Sequence, residues 1–306
     1  MEKTIKNILV ICGPTASGKT SLAISVAKLL PKANILSADS RQIYKGLDIL
    51  TGKDIPNDLP SSIIIYGLDL IASNKIFNLS DFVDYAGKII NKSLENNTPL
   101  IIVGGTGLYL KATTSNLLNV HVPPNSKLRA KLEKMNLVDL KKLLCEIAPK
   151  KFASLNNSDI NNPRRLIRAI EIASSSNQVG ILTESNSPDI KFHWIGLRVD
   201  NIIQENNIRE RVLHRIKRGA IEEVLELIKK YPDTSFPVHS SLGVKYVKAY
   251  LDRKITKEEC VDLWTKAEVD YARRQIVWFK KQHEIVWYDK GSINQDSIKS
   301  LSALIL

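Results

Sequence analysis

The apolar positions of this chain change period along its length. Asn7 to Cys12 is a near-continuous hydrophobic run, the pattern of a strand buried on both faces. Ser21 to Leu30 switches to helical spacing through Leu22, Val26, Leu29 and Leu30. Asn34 to Ala38, Ile63 to Tyr66 and Pro99 to Val103 read as further strands, and Asp81 to Leu94 as a helix capped by Ser80. From Pro123 to about Ser176 the patterns are helical, with no convincing strand. Phe192 to Leu197 is strand-like again, and long helices are expected over Ile208 to Lys230, Val244 to Leu251 and Lys257 to Gln282. Alternating strands and helices predict an α/β fold with a parallel sheet, interrupted by a helical insertion.

Composition narrows the class. With 43% hydrophobic and 25% charged residues, the 306-residue chain is that of an ordinary globular protein. Its apolar stretches are far shorter than the ~20 residues that span a bilayer, and Ile8 to Ile11 is too short for a signal-peptide core, so a cytoplasmic protein without membrane contact is expected. Cys12, Cys145 and Cys260 are widely spaced and match no zinc pattern, which implies reduced, mostly buried thiols. The net charge is +12, with +3 on residues 1–119 and +9 on residues 120–306. A basic second part suits a polyanionic partner such as nucleic acid; a solvated lysine-rich surface would give the same count.

The sharpest chemical signal is Gly13-Pro14-Thr15-Ala16-Ser17-Gly18-Lys19-Thr20, set between the first strand and the first helix. In such a loop backbone N–H groups turn inward around phosphate oxygens, the helix adds its positive end, Lys19 supplies a point charge and Thr20 is placed to ligate Mg²⁺. The expected fold is therefore a P-loop NTPase-like parallel-sheet core, with a helical insertion domain and a helical C-terminal part. Its expected limits are 1–119 for the first part of the core, 120–185 for the insertion and 186–306 for the return to the core. P-loop kinases and ATPases commonly place a metal-organising Asp at the end of another strand. Here the strand 100–103 runs into Gly104-Gly105-Thr106-Gly107 without an acid, leaving Asp39 and Asp69 as candidates.

Ala38-Asp39-Ser40-Arg41-Gln42-Ile43-Tyr44, Gly104 to Tyr109, Asn162 to Glu171, Gly219 to Val224 and Tyr271 to Gln275 with Trp278-Phe279 occur in one order along the chain. Together with the glycine loop they make it resemble the tRNA dimethylallyltransferases, nearly end to end. The absence of zinc spacing after the last matched helix resembles the compact bacterial form. The resemblance implies transfer of a dimethylallyl group from dimethylallyl diphosphate to the exocyclic N6 amine of the adenine 3′-adjacent to the anticodon, in a monomer requiring Mg²⁺. It implies catalytic roles for Asp39 as general base, Thr106 at the target nucleotide and Arg211 at the diphosphate, the last held by Gly13 to Thr20 with Mg²⁺ on Thr20. Contacts with the tRNA anticodon loop are implied for Asp39, Ser40, Arg41, Gln42, Thr106, Arg129, Arg164, Arg165, Leu166, Ile167, Arg168, Gly243 and Lys245.

The residues themselves admit plainer roles. Asp39 could be a turn aspartate, and Arg215 and Arg218 a solvated basic face beside Arg211. Trp264, Trp278, Phe279 and Trp287 fit core packing better than base stacking. Departures from the family pattern, at Tyr66-Gly67, Leu50 to Lys53, Asn201, Asn207, Leu213, Ala267 and Glu268, bear on supporting contacts and leave Asp39, Lys19, Thr20, Thr106 and Arg211 in place. A prenyltransferase of free adenine nucleotides, a small-molecule kinase and a non-catalytic RNA-binding protein are the competing readings. The basic insertion opposes the first and the missing strand-end acid the second.

Overall fold

The computed structural model describes residues 6–115, 120–175 and 190–306. The chain divides into two compact units, Met1–Ser115 with Pro188–Leu306, and Asn116–Ser187. Among the described residues no helix is long and apolar enough to cross a membrane.

The first unit opens with β1 (Lys6–Cys12), α1 (Lys19–Ala27), β2 (Ala33–Ser37), the single turn α2 (Asp48–Thr51), β3 (Ile63–Tyr66), α3 (Leu79–Glu95), β4 (Leu100–Gly104) and α4 (Gly107–Thr114). The second unit holds α5 (Ser126–Leu132), α6 (Leu137–Ile147), α7 (Pro149–Ala153), α8 (Asn157–Ile160) and α9 (Pro163–Ser175). The first then resumes with β5 (Ile190–Arg198), α10 (Asn201–Arg218), α11 (Ala220–Lys230), α12 (Val244–Leu251), α13 (Lys257–Phe279), β6 (Val286–Asp289) and α14 (Gln295–Ala303).

The six strands form one sheet in the order β3-β2-β4-β1-β5-β6, and every pair is parallel. Side chains alternate between its two faces, as the pleat requires. Leu9, Ile11, Ile35, Ile101, Val103, Ile195 and Leu197 pack with α1 and with Leu301 of α14. Ile8, Val10, Cys12, Leu36, Ile102 and Trp194 pack with Phe82 and Ala86 of α3 and Phe279 of α13. Both faces being covered explains why the central strands read as continuous apolar runs. A third core joins Ile43, Leu47 and Leu50 to Val212, Val224, Val244 and Trp264 of the later helices. The second unit has a core of its own, built from Leu132, Leu140, Leu144, Leu166, Ile167 and Ile170.

Three expectations are corrected. The cap of α3 is Asn78, not Ser80: Asn78 accepts the Asp81 N–H at 3.1 Å and the Asp81 carboxylate accepts the Asn78 N–H at 2.8 Å, closing a reciprocal capping box. The helix expected over 208–230 is two helices, broken at Gly219, whose φ of +110° stops α10. The C-terminal part is not purely helical, because β6 adds an edge strand to the sheet.

Candidate active site

In a parallel sheet the ligand lies off the carboxyl ends of the strands. Here those ends carry the glycine loop after β1, Asp39 after β2 and Gly104–Gly105 at the end of β4. They open on a cleft of about 420 Å³ that is also lined by Arg211 and Arg215 of α10 and by Glu268, Tyr271, Arg274 and Gln275 of α13.

The glycine loop is held by side chains rather than by its own turns alone. A methyl group on Gly13 would stand 2.8 Å from the Leu197 carbonyl of β5, so the loop packs directly under that strand and only glycine fits. The Gln275 Oε1 accepts the Thr15 N–H at 2.8 Å and the Thr15 hydroxyl at 3.2 Å. Its Nε2 donates to the Gly105 carbonyl at 2.9 Å, and Gln204 Nε2 donates to the Thr15 carbonyl at 3.0 Å. One amide of α13 therefore ties the loop after β1 to the loop after β4. The Ser17 hydroxyl is buried inside the loop without a hydrogen-bond partner among the described residues.

Lys19 Nζ donates to the Pro14 carbonyl at 2.5 Å. Burial, and then Arg211 beside it, pull its pKa down to about 8, although Asp39 opposes the shift. The ammonium is therefore present below about pH 8 and is lost as pH rises through it. Affinity for inorganic diphosphate is expected to fall about tenfold per pH unit above that value, and a Lys19→Arg variant should lack this limb. A wild-type binding profile flat from pH 7 to 10 would contradict the assignment.

Asp39 is partly exposed to the cleft, and its Oδ1 accepts the Arg41 N–H at 2.8 Å. Thr106 Oγ1 accepts the Ser40 N–H at 3.3 Å, which sets Thr106 against the Asp39 turn. Burial and then the Asp39 charge push the Tyr271 phenol up, while hydrogen bonds with Thr106 and Gln275 work against that rise. Arg41 is pinned to the Pro237 carbonyl at 2.7 Å and to Ser240 Oγ at 3.0 Å. Gln42 spans from Ser37 Oγ, 2.8 Å away, to the Gly52 carbonyl at 2.9 Å. Asp69, the other candidate acid, takes no part in the cleft: its carboxylate is 2.5 Å from the buried Lys53 ammonium, which also meets Asp48 and the Tyr44 carbonyl.

Arg211 and Arg215 both reach the backbone of Gly52, where a methyl group would stand 2.2 Å from one terminal nitrogen and 2.6 Å from the other. Arg211 also lies 3.6 Å from Asp54, which Arg218 holds at 3.0 Å. The expectation that Arg215 sits on a solvated face is wrong. Its guanidinium is buried and donates to Glu268 Oε1 at 2.9 Å, an oxygen that also accepts the Trp264 indole N–H at 3.1 Å.

The expected RNA-contact residues fare unevenly. Arg164 and Lys245 are exposed. Arg165 is ion-paired with Asp159, and Arg168 donates to the Val122 carbonyl at 2.7 Å. Arg129 makes a two-pronged pair with the buried Glu171; burial would raise that carboxyl, yet Arg129, Asn125 and Arg168 hold it below the usual range. Leu166 and Ile167 are buried in the core of the second unit, and Gly243 is buried against Trp264, so these three have no surface to offer. Of the aromatic residues, Trp264 and Phe279 are fully buried, as core packing required. Cys12 and Cys260 are buried and Cys145 exposed; burial pushes the Cys12 thiol up to about 12, leaving it inert.

Sequence reasoning missed the structural tasks of Gln275, Glu268 and Arg215. The available signal was their spacing: Trp264, Glu268, Ala272, Gln275 and Phe279 form one buried stripe of α13, in which two polar residues stand at core positions.

Residues 42–282 match the profile of the family described as IPP transferase. The chain is 35% identical over 295 residues to tRNA dimethylallyltransferase 1 of Syntrophus aciditrophicus, covering 93% of this chain and 94% of that protein. It is 38% identical to tRNA dimethylallyltransferase 2 of Treponema denticola, covering 91% and 93%. Among solved structures it is similar to the full-length tRNA isopentenylpyrophosphate transferase of Bacillus halodurans, at 29% identity and a TM-score of 0.70 over 98% of this chain and 95% of that one. It also shares the fold of a eukaryotic dimethylallyltransferase acting on tRNA, with a TM-score of 0.77 at 22% identity over 98% of this chain and 78% of that one.

Proposed function

Because this chain belongs to the IPP transferase family, whose curated relatives are tRNA dimethylallyltransferases, we propose that its cleft joins dimethylallyl diphosphate to a tRNA adenine. The protein is a prenyltransferase that modifies tRNA. The acceptor is the exocyclic N6 amine of the adenine 3′-adjacent to the anticodon. The observation that carries the reading is the pairing, in one cleft, of the phosphate loop after β1 with the Asp39 carboxylate after β2.

In the reaction the bond from the allylic carbon to the diphosphate oxygen breaks and a bond from that carbon to N6 forms. Charge accumulates on the departing diphosphate, and the loop N–H groups, Lys19 and Arg211 stabilise it there. The amine loses a proton, which the Asp39 carboxylate takes up while the Arg41 N–H holds its other lone pairs in place. Adenine inside a stacked loop cannot reach Asp39, so the base must be extruded, with Thr106 as a polar contact for the flipped nucleotide. The exposed arginines of the second unit and Lys245 suit the phosphates of an anticodon loop.

A group of three or more His, Cys, Asp or Glu side chains suited to a metal does not occur among the described residues. The Thr20 hydroxyl, which lines the cleft beside the loop, would suit Mg²⁺ as its protein ligand, because that ion keeps its waters and is bound mainly by substrate phosphates. Bound there, Mg²⁺ would neutralise charge on the leaving group.

Incubation with dimethylallyl diphosphate, Mg²⁺ and unmodified tRNA should add one isoprene unit to adenosine, read as nucleoside mass after digestion. Transfer to AMP instead, or hydrolysis of ATP without any gain on tRNA, would sink the proposal.

A further inference from the structure

A second cavity of about 500 Å³ beside the glycine loop is lined by Gly18, Lys19, Thr20, Asp54, Arg211 and Lys290. Lys19, Thr20 and Arg211 also line the main cleft, so the two spaces meet at the residues proposed to hold the diphosphate. Lys290 follows β6, the edge strand that the apolar pattern did not predict. Its stem lies across the loop: a methyl group on Gly18 would stand 3.3 Å from its Cε and 3.8 Å from its Nζ. The nearby acids are engaged elsewhere, Asp54 by Arg218 and Arg211, and Asp289 by Arg198 at 3.5 Å. Among the described residues Lys290 makes no ion pair.

A lysine beside a phosphate loop that makes no ion pair among the described residues is a cation awaiting an anion. We infer that Lys290 is a further binding residue for the diphosphate, reaching it across Gly18 beside Lys19 and Arg211. Three cations on separate elements then surround a leaving group whose charge grows as the allylic bond breaks. This inference rests on the dimethylallyl diphosphate reading above.

Lys290→Met and Lys290→Arg separate charge from fold, since Lys290 is exposed. In steady-state prenylation of tRNA, K290M is expected to raise both the KM for dimethylallyl diphosphate and the inhibition constant of inorganic diphosphate by about fivefold to tenfold. The KM for tRNA should stay within about twofold, K290R should stay near wild type, and the salt dependence of the donor KM should be shallower in K290M. Unchanged donor KM and unchanged diphosphate inhibition in K290M would overturn the assignment. If the wild-type protein does not prenylate tRNA, the functional reading fails instead. Calorimetric titration with inorganic diphosphate then judges Lys290 alone, equal affinities for wild type and K290M refuting it.

Discussion

Asp39→Asn is expected to slow prenyl transfer by about 10²–10⁴-fold under single-turnover conditions while leaving tRNA affinity within about threefold. Asparagine keeps an oxygen that can accept the Arg41 N–H, so the turn after β2 and its contact with Thr106 survive. What is lost is the capacity to take up a proton as the C–N bond forms. A substitution that acts through structure would move binding and chemistry together. Single-turnover rates beside filter-binding affinities decide between the two, and comparable losses in both would refute the role of base.

The largest expected effect on stability is at Glu268. Glu268→Leu leaves the buried Arg215 guanidinium without its ion-pair partner, and strips the Trp264 indole of its acceptor. Burial already pulls Arg215 down from its ordinary range, Arg211 adds to that, and Glu268 opposes it. Breaking one partner of such a pair costs about 3–5 kcal/mol, whereas replacing both by apolar residues is often close to neutral. Thermal melting should therefore fall by roughly 10 °C or more in Glu268→Leu and recover most of that loss in Arg215→Met/Glu268→Leu. A double variant no more stable than the single one would show that the pair is not what the single change disrupts.

Much of the core was legible because its strands are buried on both faces and so announce themselves as apolar runs. The glycine loop and Asp39 were legible for a related reason, both lying where such a run ends. The break at Gly219 was hidden by the stripe that passes through it: Val212, Ile216, Ala220 and Val224 keep a four-residue spacing across two helices. Strand β6 gave no signal, being four residues long at the sheet edge with its side chains half-exposed. At the start of α3, Asn78 and Ser80 are both good caps, and only the acid three residues after Asn78 distinguishes them. Polar residues at buried positions are the harder class. Glu268, Gln275 and Arg215 do not fit a solvated face once their neighbours are counted, but their partners lie on other elements that periodicity does not reach. Leu166 and Ile167 illustrate the converse: motif membership suggested contact with RNA, while helical position assigns them to a core.

The seven-residue register of β1 against β5, from Lys6 beside Ile190 to Cys12 beside Gly196, has a consequence for biosynthesis. The ribosome must emit more than half of the chain before β1 acquires its second neighbour. At ordinary elongation speeds that interval is roughly 10–40 s. Throughout it the nascent β1 has one satisfied edge at most, against β4, and the glycine loop lacks the Leu197 carbonyl beneath which it packs. The phosphate site is thus completed well after its signature is made, and the exposed edge of β1 is where a chaperone or a misfolding neighbour would find this protein.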